Sequence, residues 1–228
     1  MSEFVVKLFQ DGGGQFVTPP SVFTDKLKKI KAILLDWDGV FNDGFKRGTE
    51  GSIFSEVDAM GTNMLRYAFW KRDGKLPVTA IITGENNPSA QVLAQRERFH
   101  DLFFLTKNKA VVFDSFCKKH GLHADEVMFF FDDVLDLEVA RLCGLRILIG
   151  RSASPMLSQY ARENSLADYI TGHHGGSHGL RESCELTVGL MGLFDIVIKG
   201  RSQFSDNYKA YLADRQKIET SAQQSPQP

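Results

Sequence analysis

Short continuous apolar runs alternate along this chain with stretches of helical spacing. Residues 30–36, 77–83, 102–105, 127–131, 145–149 and 169–170 are apolar and bounded by charge or turn residues, the mark of buried strands. Between them, residues 59–72, 88–99, 109–120, 135–142, 155–164 and 181–194 carry apolar positions three and four apart and read as helices. Pro88 falls in the first turn of one helix, and Gly121 and Gly144 close two others. Residues 41–56 hold two short runs around Arg47-Gly48-Thr49-Glu50-Gly51, which predicts a small β-hairpin flap after the first strand. The fold class is therefore α/β: a Rossmann-like parallel sheet with helices on both faces.

The ends of the chain break the alternation. Residues 1–28 read as an N-terminal extension because DGGGQFVTPPS interrupts the pattern, leaving residues 29–195 as the main domain. Residues 196–228 form a C-terminal extension with one further helix near 208–218, and the polar tail 220–228 is expected to be disordered.

Composition narrows the function by exclusion. The 228 residues are 43% hydrophobic and 24% charged with a formal net charge of −1, so no basic surface points to nucleic acid. No signal peptide or apolar run of membrane-spanning length is evident, and a cytoplasmic protein without membrane partners is expected. The 18 Phe, many in runs such as 129–131, read as core. Cys117, Cys143 and Cys184 form no CxxC pair and read as small buried hydrophobes.

The chemistry lies at the carboxyl ends of the predicted strands, where parallel sheets bind ligands. Asp36 and Asp38 follow the first strand, Thr83 the second, and Asp132 and Asp133 the fourth. Carboxylates gathered at one sheet edge repel each other, and a hard cation relieves this. Oxygen ligands that are few in number suit Mg2+, which also binds substrate phosphate. Asp36, Asp38 and Asp132 are the candidate ligands, and Thr83 and Lys109 the candidate phosphate contacts. A carboxylate can itself attack phosphorus to form an aspartyl-phosphate. Asp43 lies in an Asn-Asp-Gly sequence and is either a turn residue or a substrate contact. His173 and His174 are adjacent, a poor arrangement for one ion, and read as part of a Gly-rich loop.

These motifs resemble those of the haloacid dehalogenase-like phosphatases. DWDGV at 36–40, Ile82-Thr83-Gly84, Lys109 and DDVLD at 132–136 match the family's four motifs in order and spacing. The resemblance implies that Asp36 is the nucleophile and Asp38 the acid and base. It implies that Asp36, the Asp38 backbone carbonyl and Asp132 hold Mg2+, that Thr83, Gly84 and Lys109 bind phosphate, and that Asp133 and Asp136 support them. Phe131 stands where the family usually has Gly, and its side chain is expected to point into the core. A signalling receiver domain shares several of these residue types, but places its acidic pair early and a lone Asp before the Thr.

Only 44 residues separate Asp38 from Thr83 and only 22 separate Lys109 from Asp132, which leaves no room for a cap domain. The capless subclass is similar, and includes phosphatases of 3-deoxy-manno-octulosonate 8-phosphate and of nonulosonate 9-phosphates. DGVFNDG, VDAMG (57–61) and GGSHGLRE (175–182) resemble its further motifs, with Val57, Ala59 and His178 as departures. The resemblance implies a homotetramer in which a neighbour covers the site. It also makes Glu85, in ITGE, a contact to sugar hydroxyls as in nonulosonate phosphatases, and Arg96 a partner for a substrate carboxylate. The expected function is a Mg2+-dependent phosphatase of a sugar-acid phosphate. The alternatives are a phosphatase of another small phosphometabolite and a catalytically silent oligomeric subunit.

Overall fold

A computed structural model describes residues 2–225. The elements in chain order are α1 (Ser2–Asp11), β1 (Gln15–Phe16), α2 (Pro20–Lys29), β2 (Ala32–Leu35), α3 (Glu56–Asp73), β3 (Val78–Ile82), α4 (Pro88–Arg96), β4 (Asp101–Phe104), α5 (Lys109–His120), β5 (Val127–Phe131), α6 (Leu137–Leu142), β6 (Leu145–Leu148), α7 (Pro155–Glu163), β7 (Tyr169–Ile170), α8 (Gly179–Leu190), α9 (Phe194–Ser202), α10 (Asp206–Gln216) and β8 (Ser221–Gln224). The eight strands form one sheet in the order β1-β7-β6-β5-β2-β3-β4-β8, parallel throughout except for the β1–β7 edge pair.

The central strands are apolar on both sides because both faces are covered. Strand periodicity divides their residues between two cores. Ile33 and Leu35 of β2, with Met128 and Phe130 of β5, face a core completed by α3 and α8. Ala32, Leu34, Phe129 and Phe131 face the other, completed by α5 and α6. Phe131 is fully buried and stacks on Phe129 with ring centroids 5.4 Å apart, so the bulky residue before the fourth motif fills core space, as expected. The three cysteines are buried and unpaired.

Helix starts follow local capping chemistry. The Ser55 side chain accepts from Val57 N–H at the start of α3, and Asn108 accepts from Ala110 and Val111 N–H at the start of α5. The second of these caps points the first residue of α5, Lys109, toward the sheet edge. No described helix is long and apolar enough to cross a membrane.

Two expectations are corrected. The hairpin over 41–56 does not form. Only a short 3-10 turn at Gly48–Glu50 and one backbone bond, from Arg47 N–H to Gly51 O at 2.9 Å, mark the place. The apex is Gly-rich and charged and has no third strand beside it, and an isolated two-stranded ribbon is marginal in water. The C-terminal tail, expected to be disordered, supplies edge strand β8, with Ser221–Gln224 pairing in register with Asp101–Phe104. Main-chain bonds to an exposed sheet edge need no apolar side chains, so composition does not reveal them. Residues 226–228 of that tail lie outside the described residues.

The N-terminal segment also joins the sheet. Its β1 pairs with β7, Phe16 packs edge-on against Tyr169 and Phe23, and Val5 of α1 packs against Gly189 of α8.

Candidate active site

Parallel register brings the motif residues together. Leu35 lies between Phe130 and Ile81 in neighbouring strands, so β5, β2 and β3 end at one level. The next residues of β5 and β2 are Asp132 and Asp36, and Thr83 follows β3 directly. Lys109 opens α5, beyond β4. All four are buried.

One oxygen from each of Asp36, Asp132 and Asp136 lies within 4.8 Å of the others. Lys109 Nζ bridges two of these carboxylates, at 2.7 Å from Asp36 Oδ1 and 2.6 Å from Asp136 Oδ1. Burial alone would lower the Lys109 ammonium pKa, but Asp36 and Asp136 outweigh it and the net shift is upward. Asp132 is pushed up to about 7, first by burial and then by Asp36, against the pull of Arg151. Asp136 is also raised well above the carboxylate range, by burial and by Asp36.

The cluster brings together the expected Asp36 and Asp132 and adds a side chain expected only as a support. Its third side chain is Asp136, because Asp133 caps the short turn at Val134–Asp136 through Val134 N–H (2.7 Å) and that turn places Asp136 beside Lys109. The Asp38 carboxylate turns elsewhere. It accepts from Ser52 Oγ and Lys46 Nζ, and from Asn87 Nδ2 at 3.2 Å. Asn87 also donates to Thr83 Oγ1 at 3.0 Å. Thr83 therefore has an acceptor role filled and its hydroxyl proton free for a ligand oxygen.

The donor set fits a hard divalent cation. It is all oxygen, tightly gathered, and Asp136 Oδ2 is buried without a hydrogen-bond partner. Gly39 permits this approach. Its φ is +81°, and a methyl group there would lie 1.9 Å from Asp132 Oδ2. Arg151, following β6, donates to Asp132 Oδ2 at 2.6 Å.

Other candidates lie apart from the cluster. Asp43 is exposed and accepts from Phe45 N–H at 3.2 Å, the turn role of its two readings. Glu85 is exposed, with its backbone N–H 3.5 Å from Thr83 Oγ1. A methyl group on Gly84 would meet only Thr106 O, at 3.8 Å. Arg96 is held by Glu56 and Glu97 and lies over the Phe54 ring, so it contacts no group of the aspartate cluster. His173 and His174 do not converge: His173 Nδ1 bonds Glu182 at 2.8 Å, and His174 Nε2 bonds Ser177 Oγ at 2.9 Å.

Sequence reading missed Lys46, Ser52, Asn87 and Arg151. Asn87 opens a helix four residues after Thr83, and Arg151 lies just beyond a parallel strand's carboxyl end, so the sheet-edge rule could have found both. Lys46 and Ser52 come from an irregular loop with no such signal.

Lys109→Met leaves Asp36 and Asp136 facing each other without a cation. A loss of about 3–5 kcal/mol in unfolding free energy at pH 8 is expected, by denaturant titration. The loss should shrink at pH 5, where Asp136, raised by burial and by Asp36, takes a proton.

No family model matches the chain. The 3-deoxy-D-manno-octulosonate 8-phosphate phosphatase KdsC of Salmonella typhimurium is 29% identical over 187 residues, covering 80% of this chain and 91% of that protein. KdsC of Escherichia coli K12 is 29% identical over 181 residues, covering 78% and 88%. Among solved structures, a putative HAD superfamily (subfamily III A) hydrolase from Legionella pneumophila superposes with a TM-score of 0.66 at 26% identity, over 80% of this chain and 95% of that one. The 3-deoxy-D-manno-octulosonate 8-phosphate phosphatase of Moraxella catarrhalis, solved with magnesium, phosphate and KDO, gives 0.63 at 26% identity, over 80% and 98%. Between Asp38 and Thr83 this chain holds only a loop, α3 and β3, and between Lys109 and Asp132 little beyond α5 and β5, so among the described residues neither gap supplies a cap domain over the sheet edge. By sequence, fold and motif order, the chain is similar to the haloacid dehalogenase-like hydrolases of the capless kind, and among them to the 3-deoxy-D-manno-octulosonate 8-phosphate phosphatases.

Proposed function

We propose that this protein is a Mg2+-dependent phosphatase of a sugar-acid phosphate that works through an aspartyl-phosphate on Asp36. One observation carries the reading: Asp36, Asp132 and Asp136 converge beside Lys109 at the sheet edge where Thr83 also ends its strand. The relatives named for an octulosonate 8-phosphate supply the substrate class.

Asp36 attacks phosphorus, and the ester P–O bond breaks as the new one forms. Asp38 gives its proton to the leaving oxygen. A water then loses a proton to Asp38 and attacks the same phosphorus, releasing phosphate and freeing Asp36. Asp38 must exchange one of its three present partners to reach the leaving oxygen. Thr83 donates its hydroxyl hydrogen to a phosphoryl oxygen and Lys109 offers its ammonium, positioned charge of the kind phosphoryl transfer needs. Asp36, Asp132 and the Asp38 backbone carbonyl would hold Mg2+, with Asp136 in support, and the ion would supply positive charge against the transferring group.

A cavity of about 300 Å3 lined by Arg151, Arg162 and His174 joins the cluster through Arg151. Its guanidiniums suit a substrate carboxylate better than Arg96, which Glu56 and Glu97 already occupy. Phe45, Val134 and Leu135 are 77%, 58% and 74% exposed; the first follows the first motif closely and the other two lie within the fourth. A second copy of the chain, within a homotetramer, is the cover we assign to them.

The test is phosphate release with Mg2+ and with EDTA from an octulosonate 8-phosphate, nonulosonate 9-phosphates and hexose phosphates. Mg2+-dependent preference for a sugar acid is expected. A nonulosonate preference would support Glu85 as a sugar contact. Equal turnover of hexose phosphates would remove the sugar-acid reading, and no release from any substrate would remove the phosphatase.

A further inference from the structure

A second polar cavity, of about 260 Å3, opens between α3, α4, α9 and α10. Its lining includes Glu56, Met60, Arg96, Arg201, Phe204 and Arg215. The walls come largely from residues outside the four motifs, and none of the aspartate cluster reaches it.

Its electrostatics are unbalanced. Arg96 and Arg215 share Glu97, at 3.1 and 2.6 Å, and Arg96 also holds Glu56. Behind Glu97, the fully buried Arg66 donates only to the backbone carbonyls of Glu97 and Arg98. Arg201 lies over the Tyr208 ring, 5.1 Å from its centroid, and among the described residues it has no carboxylate partner. The lining itself sets three guanidiniums against two carboxylates, and Arg66 adds a fourth from behind Glu97. Three of these arginines, Arg66, Arg201 and Arg215, also have a buried Nε without an acceptor. Arg66 is fully buried and Arg201 and Arg215 are half-buried; buried donors that go unused are costly, and a stable chain rarely gathers them without an anion to face.

We propose that this cavity is a binding site for a small phosphate dianion, separate from the catalytic centre. With Arg66 counted, the positive excess matches the charge of a phosphate monoester or of free phosphate as a dianion. The planar, forked guanidinium is the group best matched to phosphate oxygens. Met60, Phe204 and Leu212 give the rim an apolar side against which the carbon of a monoester can lie.

The cavity is bordered by two elements that lead to the catalytic site. α3 begins four residues after Ser52, which holds Asp38, and α4 begins next to Asn87, which holds both Asp38 and Thr83. Phe54, beneath Arg96, packs edge-on against Trp37 with ring centroids 6.1 Å apart, and Trp37 lies between Asp36 and Asp38 in sequence. An anion that drew Arg96 or Arg201 inward would act on these same supports.

The test is calorimetric titration of the full-length, metal-free protein in EDTA, with inorganic phosphate in one arm and a hexose 6-phosphate in the other. Without metal the catalytic carboxylates disfavour a dianion, and no turnover is read, so the result is independent of the proposed phosphatase activity. Saturable binding near one equivalent per chain is expected. It should weaken at least about tenfold in Arg201→Gln, the loss of a charge-assisted contact. Tighter binding of the monoester would identify a phosphorylated metabolite as the occupant, and equal binding would identify free phosphate. If Arg201→Gln does not fold, Arg201→Lys, which keeps the charge and loses the fork, serves the same comparison. Absence of binding to the wild-type protein, or binding that Arg201 substitution leaves unchanged, overturns the proposal.

Discussion

Asp36→Asn is expected to abolish phosphate release, by about 10^4-fold or more, while leaving the protein folded. The amide keeps the size of the carboxylate and can still meet Lys109, but it cannot attack phosphorus. Asp36 is also one of the charges that raise Asp132 and Asp136. Its removal therefore relieves like-charge repulsion at the same time as it weakens the hold on Lys109. Circular dichroism and the melting temperature should stay near wild type. Substrate should still bind, because Thr83 and Lys109 remain. Rapid-quench acid trapping with labelled substrate should find phosphoprotein in wild type and none in the variant. Wild-type turnover by Asp36→Asn would exclude the covalent route, and loss of the fold would make the activity measurement uninformative about it.

Much of this site was legible because its residues follow apolar strands in register. Asp36, Thr83 and Asp132 each come directly after or within one residue of a run that could only be a buried strand. A parallel sheet then aligns the ends of those runs at one edge. Lys109 was legible as the residue that opens a helix after a strand. What was not legible depends on where side chains turn after the backbone has been placed. Asp38 is two residues from Asp36, yet it faces Ser52, Lys46 and Asn87 rather than the cluster. Asp136, read as a support, joins the cluster because a turn capped by Asp133 brings it back to Lys109. Arg96 carried the right chemistry for a carboxylate but lies at the far end of α4, paired with the adjacent Glu97 and with Glu56, which is remote in sequence. The edge strands were hidden for a different reason. The β1–β7 pair joins Gln15 to Ile170, and β8 joins the tail to β4, contacts made by the main chain over long separations. The loop over 41–56 shows the converse, a local pattern with no neighbouring strand to complete it.

Mg2+ binding should weaken as pH falls through 7. In the metal-free protein Asp132 is raised to about 7, by burial and by Asp36, so near neutrality a proton and a cation compete for it. For one such proton the apparent affinity falls about tenfold from pH 8 to pH 6 and about 100-fold from pH 8 to pH 5. The raised Asp136 can only steepen this. Stability carries the same sign. A carboxyl whose folded pKa lies above its unfolded value of 3.8 stabilises the fold fully below 3.8, and that contribution is lost as pH rises through about 7. The metal-free protein should therefore lose this contribution between pH 5 and pH 8, and Mg2+ should raise the melting temperature more at pH 8 than at pH 6. Other groups add to the raw curve. Asp58, raised by burial, acts in the same direction. His100, pushed down to about 4 by burial, acts in the opposite one, since its contribution is present above 6.5 and lost as pH falls. Lys109, raised from 10.5, is silent across this range. Asp58 and His100 do not belong to the cluster and Lys109 does not titrate in this range, so the difference between melting curves with and without Mg2+ isolates the carboxylates of the cluster. Arg151→Gln supplies the control, because Arg151 holds Asp132 down; its loss should move the midpoint of Mg2+ binding to higher pH. A Mg2+ affinity that stays flat from pH 8 to pH 6 would mean that Asp132 is ionised throughout, and that Arg151 and Lys109 already neutralise the edge that the cation is proposed to hold.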